Sequence, residues 1–142
     1  LRILKPKEIQ KALKQRNRNK IIKSLDNTFS KIIRTRDKWT CQRCGKQYTP
    51  PTRALHNSHY WGRTYFGTRW SKDNCVALCY GCHRRWEGDK QGAYKDFMHK
   101  RLPAKMDILE LKARGECKFS RTDLLILEEH YEKELKEMEE VI

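Results

Sequence analysis

Four cysteines, Cys41, Cys44, Cys79 and Cys82, fall in two pairs with two residues inside each pair. That spacing lets both thiolates of a pair face one metal ion, and two pairs complete a closed, tetrahedral site of the structural zinc type. Gly45 directly after the first pair and Gly81 inside the second suit the tight turns such knuckles make. The competing chemistry is two disulfides. Nothing in the chain resembles a secretory signal, and an intracellular setting keeps thiols reduced, so zinc is the expectation. Between and beyond the pairs stand three polar residues that zinc ligation does not use, His59, Asn74 and His83. Histidine titrates near neutrality, which suits it to proton transfer.

The order of these residues carries a resemblance. His59-Tyr60, then Asn74-Cys75-Val76-Ala77-Leu78-Cys79, then Cys82-His83 is similar to the signature of the HNH (ββα-metal, or His-Me finger) nucleases. The likeness narrows to the phage NinG/Rap recombination proteins, a zinc-bearing HNH group linked to branched-DNA cleavage. Its matching features are Phe29 to Asp37 before the first knuckle, Arg63 after His59-Tyr60, Arg69-Trp70 before Asn74, Tyr94, and a terminal Tyr131-x-x-x-Leu135 helix. The resemblance implies a divalent-metal-dependent endonuclease acting on DNA, in the cytoplasm of a bacterial host. Phosphodiester hydrolysis needs a base for the attacking water and positive charge for the phosphorus and the leaving oxygen. The resemblance fits His59 to the base, Asn74 to holding the hairpin and its histidine, and His83 to binding a single magnesium or manganese ion.

The chain departs from the common pattern at one position. Most HNH proteins carry an aspartate or histidine just before the base, as the second metal ligand, where this chain has Ser58. NinG-like proteins often place an acid three residues before the base, where this chain has His56, which makes His56 the leading candidate for the missing ligand and Asn57 the next. Asp73, Glu87 and Asp89 are weaker candidates. Two histidines would also suit a softer metal such as zinc or nickel. Arg63, Arg69, Arg84 and Arg85 are the expected phosphate contacts. The rival reading is a non-catalytic zinc-stabilised module that grips nucleic acid. It explains the charge and the cysteines but not the order of His59, Asn74 and His83.

The bulk numbers agree with a polyanionic partner. The 142 residues carry 32 basic and 18 acidic side chains, a net charge of +14, with 37% hydrophobic residues. So lean a core benefits from a metal staple, and so large a positive excess points to nucleic acid. No apolar run is long enough to span a bilayer, which excludes helical membrane proteins. The chain starts at Leu1, not Met, and an upstream piece is expected to be missing or processed.

Other elements must position these residues. The fold expected is α+β, a small ββα-metal core with two zinc knuckles over about 39–90, flanked by N- and C-terminal helices in a domain spanning 21–142. Residues 1–20 read as a basic arm or short helix. Ile21, Ile22, Leu25, Phe29, Ile32 and Ile33 recur at helical steps. Arg34, Arg36 and Lys38 close that helix and are expected to flank the DNA path. Residues 54–61 read as the first strand. If it is regular, Asn57, His59 and Trp61 face one side, and Ser58 and Tyr60 the other. Residues 64–70 read as the hairpin loop, Asp73-Asn74 open the second strand, and Cys75 in that strand is a small core residue. His83 is expected to start a helix. Further helices are expected across Tyr94 to Arg101 and across Met106 to Leu111, the latter closed by Gly115. Ser120 to Asp123 looks like a capping box before a last stripe that includes Leu124, Tyr131 and Ile142. From Arg121 onward there are 3 basic and 8 acidic side chains, about −5, leaving about +19 before it. The DNA-facing surface should exclude this acidic helix, which is expected to pack on the N-terminal one or pair with a second copy.

Overall fold

The structure is a computed structural model that describes residues 5–141. Leu1 to Leu4 of the basic arm and Ile142 of the last stripe lie outside the described residues. The chain divides into two compact units, residues 33–117 and residues 1–32 with 118–142.

The second of these units is helical. Helix α1, Pro6–Gln15, starts with proline in its first turn, where a missing N–H costs nothing. Helix α2, Arg18–Arg36, begins where the Asn17 side chain accepts a hydrogen bond from the Lys20 N–H, 2.9 Å away. Ile21, Leu25, Phe29 and Ile32 form its buried stripe. Helix α7, Arg121–Val141, opens with the capping box. The Ser120 N–H donates to Asp123 Oδ2 at 2.9 Å, and the Asp123 N–H donates to Ser120 Oγ at 3.0 Å. Helix α7 packs on α1, and Tyr131 on α7 lies 5.1 Å from the Phe29 ring. Arg16 makes a two-pronged ion pair with buried Glu128, at 2.6 and 2.8 Å.

The other unit holds a two-stranded antiparallel sheet. Strand β1, Leu55–His59, pairs with β2, Cys75–Cys79, so that His56 faces Leu78 and His59 faces Cys75. Four of the five β2 residues are buried, as suits a strand covered on both faces. Helix α4, Tyr80–Glu87, follows β2 directly, and α5, Ala93–Arg101, and α6, Met106–Arg114, follow in turn. Trp86 stacks on Tyr94 with centroids 4.7 Å apart, and Tyr60 meets Tyr94 edge-on at 5.0 Å. Val76, Leu78, Met98 and Leu109 complete this aromatic core. Cys75 in β2 is fully buried, and burial pushes its thiol far up.

Several local expectations need correction. The segment joining the strands is no simple loop, because it contains α3, Phe66–Arg69, and a 3-10 turn over Lys72–Asn74. Asp73 and Asn74 therefore precede β2 and do not open it. Gly67 lets α3 sit against α6, since a Cβ there would land on the Lys112 carbonyl. Helix α4 starts at Tyr80 and not at His83, which makes Gly81 helical; only Gly45, at φ +79°, has left-handed backbone among the glycines. Ser58 and Tyr60 are buried and His59 is not, as alternation requires, but Leu55 on the opposite parity is buried too. Two basic residues at the end of α2, Arg34 and Arg36, also bond within the fold. Arg34 donates to the Thr52 carbonyl at 2.8 Å, and its guanidinium lies over the Trp39 ring. Arg36 reaches the carbonyls of Lys72 and Cys75 at 2.7 and 2.6 Å while gripping Asp37, whose Oδ2 accepts the Ala77 N–H at 2.8 Å. These side chains brace the entry to β2.

Candidate metal centre and histidine cluster

The four cysteine sulfurs lie within 4.8 Å of one another. Ligands about 2.3 Å from a tetrahedral zinc would stand about 3.8 Å apart, and Cys44 and Cys79 are separated by 3.9 Å. The first pair sits in a knuckle closed by the Thr40–Gln47 bridge, in which the Gly45 N–H donates to the Cys41 carbonyl at 2.9 Å. The second pair spans the end of β2 and the first turn of α4. Burial raises the Cys41 thiol, but backbone N–H groups of Cys44, Cys79 and Arg43 outweigh it and bring it to about 7. Burial pushes Cys82 up to about 12, although Arg43 donates to its sulfur at 3.3 Å. Four crowded sulfurs cannot all ionise without a cation among them, and this donor set fits zinc. No disulfide joins any of the six cysteines.

A second cluster forms where β1 meets α4. The Nδ1 atoms of His56 and His83 are 3.1 Å apart, with the rings edge to face. The Nε2 atom of His83 lies 3.3 Å from Glu87, one helical turn on. That carboxylate favours the proton on Nε2 and leaves Nδ1 of His83 as the basic nitrogen. Burial, then the charges of His83 and Arg34, hold His56 below the usual histidine range, so it is neutral at pH 7. Two imidazole nitrogens this close either share a proton or flank one cation. Two ligands about 2.1 Å from an ion, at right angles, stand about 3.0 Å apart.

His59 and Asn74 meet through the segment between the strands. Asn74 is fully buried. Its Oδ1 accepts the Trp61 N–H at 2.8 Å, and its Nδ2 donates to the carbonyls of Trp61 at 2.9 Å and Thr68 at 3.1 Å. The next carbonyl along, that of Arg69, accepts a hydrogen bond from Nε2 of His59 at 2.9 Å. Asn74 thus fixes the stretch of backbone that orients His59, and the neutral ring so held carries its basic nitrogen at Nδ1.

A family model described as Bacteriophage Lambda NinG protein matches residues 3–140. The chain belongs to the NinG family. Membership indicates a role related to phage recombination, and the four-cysteine cluster adds a metal-binding module to it. No curated protein and no solved structure matches the chain.

Within this NinG-family chain the candidate residues fall into separate groups. The four cysteines converge, His56 meets His83, and His59 and Asn74 share the joining segment. Ser58 is buried and bonded to the Tyr94 hydroxyl at 2.8 Å, so it faces the core. Asp89 accepts the Ala93 N–H at the start of α5. Arg69 donates to the Arg63 carbonyl at 2.9 Å and lies over the rings of Phe66 and Trp70. Arg84 donates to the exposed Tyr80 hydroxyl at 3.0 Å, and Arg85 and Arg63 are exposed. Glu87 meets His83 from four residues on along one helix, a spacing that signals such an approach. No local signal marks the Arg36–Asp37 brace, whose partners are backbone groups far along the chain.

Proposed function

We propose that this NinG-family chain is a divalent-metal-dependent HNH endonuclease hydrolysing DNA phosphodiesters, including those of branched recombination intermediates. The observation that carries the reading is the 3.1 Å approach of His56 Nδ1 to His83 Nδ1. A divalent ion held there would supply positive charge to the phosphorus and the leaving 3′ oxygen. His56 and His83 would hold it, and Glu87 orients His83. His59, aimed by the Arg69 carbonyl, takes the proton of the attacking water at Nδ1. Asn74 keeps the Trp61–Thr68 backbone in place, which makes it a positioning residue. Arg63, Arg84 and Arg85 meet flanking phosphates.

The test is incubation of supercoiled plasmid and a four-way junction with the protein in magnesium or manganese. Wild type is expected to cut, and His59→Ala to bind equally but leave the DNA intact. A wild-type protein that binds both substrates and cuts neither across divalent metals would reduce the function to a non-catalytic, zinc-stabilised nucleic-acid-binding module.

A further inference from the structure

Helix α1 carries an exposed stripe of Lys7, Lys11 and Lys14, one helical turn apart, which borders a shallow depression also lined by Pro6 and Gln10. None of the three lysines makes a hydrogen bond or ion pair among the described residues. The helix has one acid, Glu8, and it is half-buried. Like charges three and four residues apart destabilise the helix that bears them. Lys7 also sits at the positive end of the helix dipole, where a cation is unfavourable. The sequence therefore holds a row of mutually repelling cations in the open, none of the three paired with an acid among the described residues.

We propose that Lys7, Lys11 and Lys14 form a contact surface for the phosphate backbone of duplex DNA. At about 1.5 Å per residue the stripe is about 10 Å long, the axial length of about three base-pair steps. Basic amphipathic helices also bind anionic membranes through their apolar face. Here that face, Ile9, Ala12 and Leu13, is half-buried and α1 packs on α7, which favours nucleic acid. The surface rests on the DNA partner of the proposed function and not on cleavage. It reads no sequence, because phosphate contacts carry none.

The experiment compares the full chain with a Lys7→Gln/Lys11→Gln/Lys14→Gln variant, both on a His59→Ala background, binding a labelled duplex at several salt concentrations. Losing three phosphate contacts should reduce the slope of log K against log salt by about 2.7. Between about 50 and 200 mM salt, the variant should then lose roughly 40-fold less affinity than the parent. Its melting temperature should stay equal or rise, since the change relieves repulsion in α1; a misfolded variant would melt lower. Removing Lys133 and Lys136 from acidic α7 in the same way should leave the slope unchanged. An unchanged slope in the triple variant, an equal fall in the α7 control, or no duplex binding by the parent would overturn the surface. So would capture by anionic vesicles that the triple substitution abolishes. The readout is binding, so a protein that cuts nothing still tests α1.

Discussion

Asn74 ties three backbone groups together with one amide, and only an amide has both polarities needed. Asn74→Asp should therefore be costly despite its near-identical shape, because a carboxylate would face the Trp61 and Thr68 carbonyls. Leaving such buried groups unsatisfied costs about 1–3 kcal/mol each at most. A chemical melt should show a loss of about 2 kcal/mol or more, with cutting reduced as His59 loses its aim. The histidine pair makes a different prediction. Imidazoles favour softer ions than carboxylates do, so His56→Asp should move the preference of cleavage from manganese toward magnesium in a metal titration. Because His56 is held below its ordinary range, the ion proposed for the pair should also be kept at lower pH than two ordinary histidines would keep it. The adjacency of His56 to His83 was legible from the spacing of NinG-like motifs. The role of Ser58 was not, because its partner Tyr94 lies 36 residues away, on helix α5.

The knuckles tie the loop after α2 to the end of β2 and the start of α4. The first is a short loop closed by one bridge, and the second links β2 to α4. Removal of the metal with a strong chelator should release about one zinc per chain and collapse the near-ultraviolet signal of Trp86 and Tyr94. Cys82→Ser should have the same effect without chelator, and retention of the signal in both cases would refute a structural metal. Elements with local signals were readable in advance. The α7 capping box is written in four consecutive residues, and β2 is a run of apolar ones. Helix α3 was not readable, since Phe66-Gly67-Thr68-Arg69 has poor helical propensity and is helical through its packing on α6. The carbonyl bonds of Arg34 and Arg36 were not readable for a related reason. In sequence an arginine bonded to carbonyls is indistinguishable from one awaiting phosphate.

Over the whole molecule, charge is segregated along the chain. The +14 total is the difference between a strongly basic body and an acidic C-terminal helix, and the one buried acid of that helix, Glu128, is matched by Arg16. Burial raises the Glu128 carboxyl, but the hydrogen bonds of Arg16 and Ser24 and the Arg16 charge outweigh it and hold it below the usual range. A carboxyl depressed on folding contributes stability above its unfolded value, and that contribution is lost as pH falls through the folded one. Glu128→Gln should thus cost about 2 kcal/mol at pH 7 and progressively less in acid, seen as a flattened acid limb of melting temperature against pH. The acidic character of the helix was plain in the sequence, but which glutamate turns inward depended on Arg16, 112 positions earlier. Gly67 leaves a mark of another kind, in descent. A methyl group there would collide with the Lys112 backbone, whereas one at Gly62 or Gly81 would meet nothing. Drift among the chain's cousins should therefore spare position 67 and wander at the other two, and a lineage with any side chain at 67 should have shifted its sixth helix as well.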